Sequence, residues 1–153
     1  MIYLIDKDLW HAGKETEVRT EVGDIAIRLE KVSSIFSKKI LVYDRYHVEI
    51  GELKKRGYSN YSYDIYYDGQ VIGSILKKRV LFSKRLVIRS ATGAEFVVKG
   101  SMGNYTIDVY RKLRRVARTH PKLTNDPSKY GFECIDDEHR YLLLCSAIAL
   151  GLE

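Results

Sequence analysis

The chain has 153 residues, 45% hydrophobic and 30% charged, a composition that excludes a disordered tail and a membrane-embedded helical protein and suffices for a core without disulfides or structural metal. Lys and Arg number 26 against 20 Asp and Glu, a formal charge of +6, which favours polyanionic partners such as nucleic acid or anionic lipid, although proteins that bind neither often carry an excess of this size.

The opening Met1-Ile-Tyr-Leu-Ile-Asp-Lys-Asp8 lacks a basic segment followed by a long apolar run and a small-residue cleavage site, so no secretory signal is expected and the expected location is cytoplasmic. Only Pro121 and Pro127 interrupt the sequence, and no Ser/Gly-rich or charged low-complexity stretch divides it. Residues 1–153 are therefore read as one domain.

From Asp24 to Ile135, short runs of Val, Ile, Tyr, Phe and Thr alternate with Gly, Asp, Asn or basic clusters, which predicts consecutive antiparallel strands. The clearest hairpin is Tyr63-Asp-Ile-Tyr-Tyr-Asp-Gly-Gln-Val-Ile-Gly-Ser-Ile-Leu76, where Asp68-Gly69 supplies the two positive φ angles of a type I′ turn and a simple register pairs Ile65 with Ile72. A second hairpin joins Arg85–Ser90 to Ala94–Lys99 through Ala91-Thr-Gly93. A third joins Tyr105–Tyr110 to Arg115–Thr119 across a basic tip. Gly100-Ser-Met-Gly-Asn104 lies between two predicted strands and not between a strand and a helix, so it reads as a hairpin loop and not as a phosphate cradle.

The C-terminal segment is different in kind. Asp136 and Asp137 offer an N-cap, Glu138 suits the positive end of a helix dipole, and Gly151 reads as a C-cap for a helix over 138–152. On a helical wheel Leu142, Leu143, Leu144, Cys145, Ala147, Ile148, Ala149 and Leu150 cover the full circumference, with Ser146 the one polar interruption. No face suits water, so the helix must be enclosed. Its apolar run is well short of the roughly 18 residues that span a bilayer. A helix of about 14 residues is roughly 21 Å long, close to the roughly 20 Å of six-residue strands, so it fits inside a barrel of these strands.

Three segments carry a family resemblance: the Tyr63–Leu76 hairpin, Val116-Ala-Arg-Thr-His-Pro-Lys122, and the ending Lys129-Tyr-Gly-Phe-Glu-Cys-Ile-Asp-Asp137 followed by Leu142–Leu150. From Tyr63 onward the chain resembles the LURP-one-related and tubby C-terminal-like superfamily. The resemblance implies a mainly β fold, a closed antiparallel β-barrel of hairpins with the C-terminal apolar helix buried along its axis. The superfamily includes phosphoinositide-binding tubby domains, phospholipid scramblases and small bacterial proteins of no known activity, so the fold alone does not set the function.

The candidate binding residues are five basic clusters: Lys38-Lys39, Lys54-Lys55-Arg56, Lys77-Lys78-Arg79, Lys84-Arg85, and the hairpin tip with Arg111, Lys112, Arg114 and Arg115. In a barrel meander alternate tips emerge at one rim, so several clusters can meet there as a positive surface for phosphates. The simpler role is to solvate strand ends and block edge-to-edge aggregation. Tyr58, Tyr61, Tyr63, Tyr66 and Tyr67 crowd beside Lys54. That arrangement suits base stacking on single-stranded nucleic acid as well as a half-buried barrel wall.

His11, His47, His120 and His139 lack metal-ligand spacing and no nucleophile-elbow motif is present, so neither catalysis, a metal site nor a cofactor is expected. Cys134 and Cys145 read as buried reduced thiols. The sequence thus predicts a non-catalytic binding or regulatory module, at an anionic membrane surface or phosphoinositide, with nucleic-acid binding or a protein-partner adaptor as alternatives.

Overall fold

The computed structural model describes residues 1–9, 15–33, 38–57, 61–81 and 83–152. In chain order the strands are β1 (Ile2–Asp6), β2 (Thr16–Thr20), β3 (Ile25–Ser33), β4 (Lys38–Tyr43), β5 (Glu49–Lys55), β6 (Tyr63–Tyr67), β7 (Gln70–Val80), β8 (Ser83–Ser90), β9 (Glu95–Ser101), β10 (Thr106–Arg111), β11 (Arg114–His120) and β12 (Lys129–Cys134), followed by the helix α1 (Arg140–Leu150). Each strand pairs antiparallel with its neighbours in sequence, and β1 pairs with β12 to close the ring. Two strands thus precede Asp24, and the first sixty residues complete the same barrel as the rest.

Period-two alternation builds the wall. Ile5, Leu29, Val42, Leu53, Ile65, Ile75, Phe96, Val109 and Phe132 are buried inside, while intervening residues such as Glu30, Glu52 and Arg118 lie on the half-exposed outer surface. Closure leaves no free sheet edge. Val87 faces outward and is still buried. On the same outer face Lys78 on β7 and Arg89 on β8 both reach Glu95 on β9, at 3.4 and 3.2 Å.

Asp68 and Gly69 have φ of 50° and 76°, the two positive angles expected of the β6–β7 turn. The register differs from the simple one. Ile65 pairs with Gly73, and a bulge between Ile65 and Tyr66 takes up the offset. The helix supplies the reason: a Cβ at position 73 would stand 2.6 Å from a Leu142 methyl and 2.8 Å from the Arg89 carbonyl oxygen. Isoleucine at that inward position would collide, so Gly73 faces the helix and Ile72 is left half-buried.

Every residue of α1 from Leu142 to Leu150 is buried, as the all-round apolar wheel requires. The Ser146 hydroxyl donates to the Leu142 carbonyl at 2.7 Å, so the one polar side chain is satisfied within the helix. The helix begins at Arg140, two residues after Glu138. The Asp136 carboxylate accepts the His139 backbone N–H at 3.0 Å and sits 3.1 Å from its ring Nδ1, capping the turn that leads into the helix. Gly151 closes the helix in the right-handed conformation, φ −69°, so it is not a left-handed cap. Its value is space, because a Cβ there would lie 3.3 Å from the Tyr130 hydroxyl.

Because strands alternate in direction, the connections fall on two rims. The β2–β3, β4–β5, β6–β7, β8–β9 and β10–β11 turns lie with the start of α1 on what is termed the head rim. The opposite strand ends lie with the end of α1 on the tail rim, where Gly151 meets Tyr130 and Met102.

Candidate polyanion-binding rim

The meander sorts the basic clusters. Lys38-Lys39 opens β4, Lys54-Lys55-Arg56 ends β5, Lys77-Lys78-Arg79 lies in the last part of β7, and Lys84-Arg85 opens β8, so all four stand at the tail rim. They are also neighbours across strands: Lys39 pairs with Lys54, Lys78 with Arg85, and Arg79 with Lys84. β6, which separates β5 from β7, contributes Asp64 opposite Lys54. The fifth cluster lies elsewhere. Arg111 and Arg114 pair across the β10–β11 hairpin with Lys112-Leu113 as its turn, on the head rim, so it does not join the other four.

Part of this charge is already balanced. Arg56 pairs with Asp64 at 3.4 Å, Lys78 with Glu95 at 3.4 Å, and Arg115 with Asp108 at 3.3 Å. The hydrogen bond from Arg89, with Lys78 alongside, holds the Glu95 carboxyl below its ordinary range. Lys77 Nζ stands 4.8 Å from the centroid of the Tyr61 ring, a cation–π contact that leaves the charge available. Lys38, Lys39, Lys54 and Arg85 have no carboxylate within ion-pair distance among the described residues.

One group at this rim escapes a reading based on clusters. Lys31, Lys38, Lys55 and Lys77 occupy the inward register of their strands, each two residues beyond a buried aliphatic: Leu29, Ile40, Leu53 and Ile75 respectively. They therefore line one side of the barrel mouth, from β3 to β7, instead of its outer wall. Lys31 is an isolated lysine, and the signal that reveals it is the repeated pattern of a buried aliphatic, one outward residue, then Lys. The helix ends at this mouth, and its carbonyl end carries a partial negative charge that such lysines complement.

The tyrosines do not form one surface. Tyr58 lies outside the described residues, Tyr61 stands at the tail rim, and Tyr63 is buried in the core. The Tyr66 carbonyl oxygen accepts from Tyr141, and Tyr67 meets the Tyr141 ring edge-on at 5.0 Å near the head rim. A continuous stacking platform is absent among the described residues. His139 is buried, packing edge-on against Phe96 at 5.1 Å, and the segment around Met102–Asn104 is the β9–β10 hairpin loop. Both cysteines are free and buried; burial pushes the Cys145 thiol up to about 12. Among the described residues no group of three His, Cys, Asp or Glu is placed to hold a metal ion, and no helix is long and apolar enough to cross a membrane.

A closed twelve-strand antiparallel meander wrapped around an apolar C-terminal helix, with cations gathered at the rim where that helix ends, defines a barrel built as a binding domain. The LURP-one-related family matches residues 1–150, and the chain belongs to it. The match includes the first sixty residues. A solved structure of an Arabidopsis thaliana protein is similar at 12% identity and a TM-score of 0.67, covering 97% of this chain and 88% of that one, a likeness in fold. No curated protein matches.

Proposed function

We propose that this chain is a non-catalytic binding module that docks onto anionic lipid headgroups through its tail rim, as a peripheral protein of the cytoplasmic membrane face. The observation that carries this reading is the union of four separate basic clusters on adjacent strands β4 to β8. Each basic group near an anionic surface contributes about 1 kcal/mol, so four or five unpaired cations give recruitment that is measurable and sensitive to salt. The mouth lysines add further positive charge at the same rim.

Co-sedimentation of the purified protein with neutral and anionic liposomes, including phosphoinositides, at low and physiological salt tests this reading. Selective pelleting with anionic vesicles, lost in a triple Lys54, Lys55, Arg56→Ala variant, is the expected result. Absence of binding at physiological salt sinks the lipid reading and leaves the protein-partner adaptor.

A further inference from the structure

The head rim has a different chemistry from the tail rim. Its turns and strand ends expose Val22, Tyr46, Val48, Val71, Leu113 and Ile135, whereas single exposed apolar side chains are ordinarily scattered over a surface. Two features lie across this rim from each other. One is a cleft of about 540 Å³ between the β10–β11 tip and the chain leading into α1, with Leu113, Val116 and Ile135 as apolar lining and Arg111, Lys112 and Arg114 at its edge. Leu113 is 99% exposed and Ile135 55%. None of those three cations has a carboxylate within ion-pair distance among the described residues. Asp136, the acidic residue of the lining, is already engaged with His139.

The other feature is a knob, the β4–β5 turn. Tyr46 and Val48 project from it, 70% and 57% exposed. The turn is held rigid: Asp44 Oδ1 accepts the backbone N–H groups of Tyr46 and Val48 at 2.8 and 3.0 Å, and the Arg45 guanidinium lies over the Tyr46 ring at 4.8 Å and bonds its hydroxyl. Asp44 and Glu49 flank it. Strands β5 to β10 separate knob from cleft tip one way round the ring, and β11, β12 and β1 to β4 the other way, so the two are diametrically opposed.

The geometry points to a two-fold dimer in which the head rims of two copies of this chain meet face to face. A two-fold axis in the plane of the rim sends each copy's Tyr46–Val48 knob into the other's cleft and sets Glu49 against Arg114, both contacts being made twice. The size fits. Twelve strands about 4.8 Å apart and tilted about 40° close into a ring on the order of 24 Å across. With side chains that gives a disc of roughly 700 Å², near the roughly 800 Å² per partner of a standard interface. The basic tail rims are left free at the two poles, so the dimer stands independently of what the tail rim binds.

Sedimentation velocity of the full chain from about 1 to 100 μM tests it. A reversible monomer–dimer equilibrium is expected, weakened about tenfold or more by Tyr46→Ser or Leu113→Ser at unchanged melting temperature. Glu49→Lys and Arg114→Glu should each be monomeric alone and dimerise when mixed, because only the mixed pair restores opposite charges at both contacts. A monomer throughout the range, or a dimer that both serine variants leave intact, overturns the proposal. So does a monomer that binds neutral vesicles through Leu113, which would give this rim to a bilayer.

Discussion

Tyr141, in the first turn of α1, donates its hydroxyl proton to the Tyr66 carbonyl oxygen of β6 at 2.9 Å, pinning the start of the helix to the wall at the head rim. The bond passes over Gly51 on β5, where a Cβ would come closer to both the Tyr141 hydroxyl and the Tyr66 carbonyl than real Cβ atoms approach any neighbour. Glycine at 51 makes the anchor possible.

Tyr141→Phe should therefore cost about 1 kcal/mol, one hydrogen bond, and Gly51→Ala about 2 to 3 kcal/mol from overpacking. Combining them should not rescue Gly51→Ala, because the Tyr66 carbonyl still blocks the Cβ. Urea midpoints of the two single variants and the double variant measure this.

Leu144 is buried in the barrel interior. An unpaired charge there costs several kcal/mol, a large share of a domain's net stability, so Leu144→Arg should yield no folded protein. Leu143→Ala removes volume without adding charge and should fold with a loss of about 2 to 5 kcal/mol. A soluble Leu144→Arg protein with unchanged melting temperature would contradict the enclosed helix.

Burial raises the Cys145 thiol from its ordinary value of 9.0 to about 12. The folded state thus keeps a proton that the unfolded chain releases, so this contribution is intact below pH 9 and is lost as pH climbs from about 9 toward 12. Burial raises Cys134 in the same direction. Stability should decline with pH above 9 by on the order of 1 kcal/mol per unit, and the slope between about pH 9 and 10 should be shallower in Cys145→Ala. Chemical denaturation across that range tests the sign; a slope unchanged by the substitution would contradict it.

The helix was legible because burial on every side is written in its composition, from Leu142 to Leu150. The Asp68-Gly69 turn was legible because two successive positive φ angles demand such residues. The Ile65–Gly73 register was not, since the bulge answers to Leu142, far away in sequence. Gly51 has the same character: its need for space comes from Tyr141, which no local pattern on β5 announces. The basic clusters were visible as runs, but their division between rims depends on the strand count, and β1 and β2 lie before the stretch where alternation is conspicuous. Lys31 was missed because a single lysine forms no run, although its place two residues beyond Leu29 marks it.

The most direct test of the polyanion-binding tail rim removes equal charge from two places and compares binding to anionic vesicles at physiological salt. One variant carries Lys54, Lys77 and Arg85→Ala at the tail rim. The other carries Lys112→Asn, which tolerates the positive φ of 57° at that turn, with Arg115→Ala and Arg118→Ala. The tail-rim variant should lose affinity by more than about tenfold, since three contributions of about 1 kcal/mol each are removed, and the other should bind like the unmodified protein. Equal losses in both variants would mean that net charge alone drives binding, and would contradict a localised site at the tail rim.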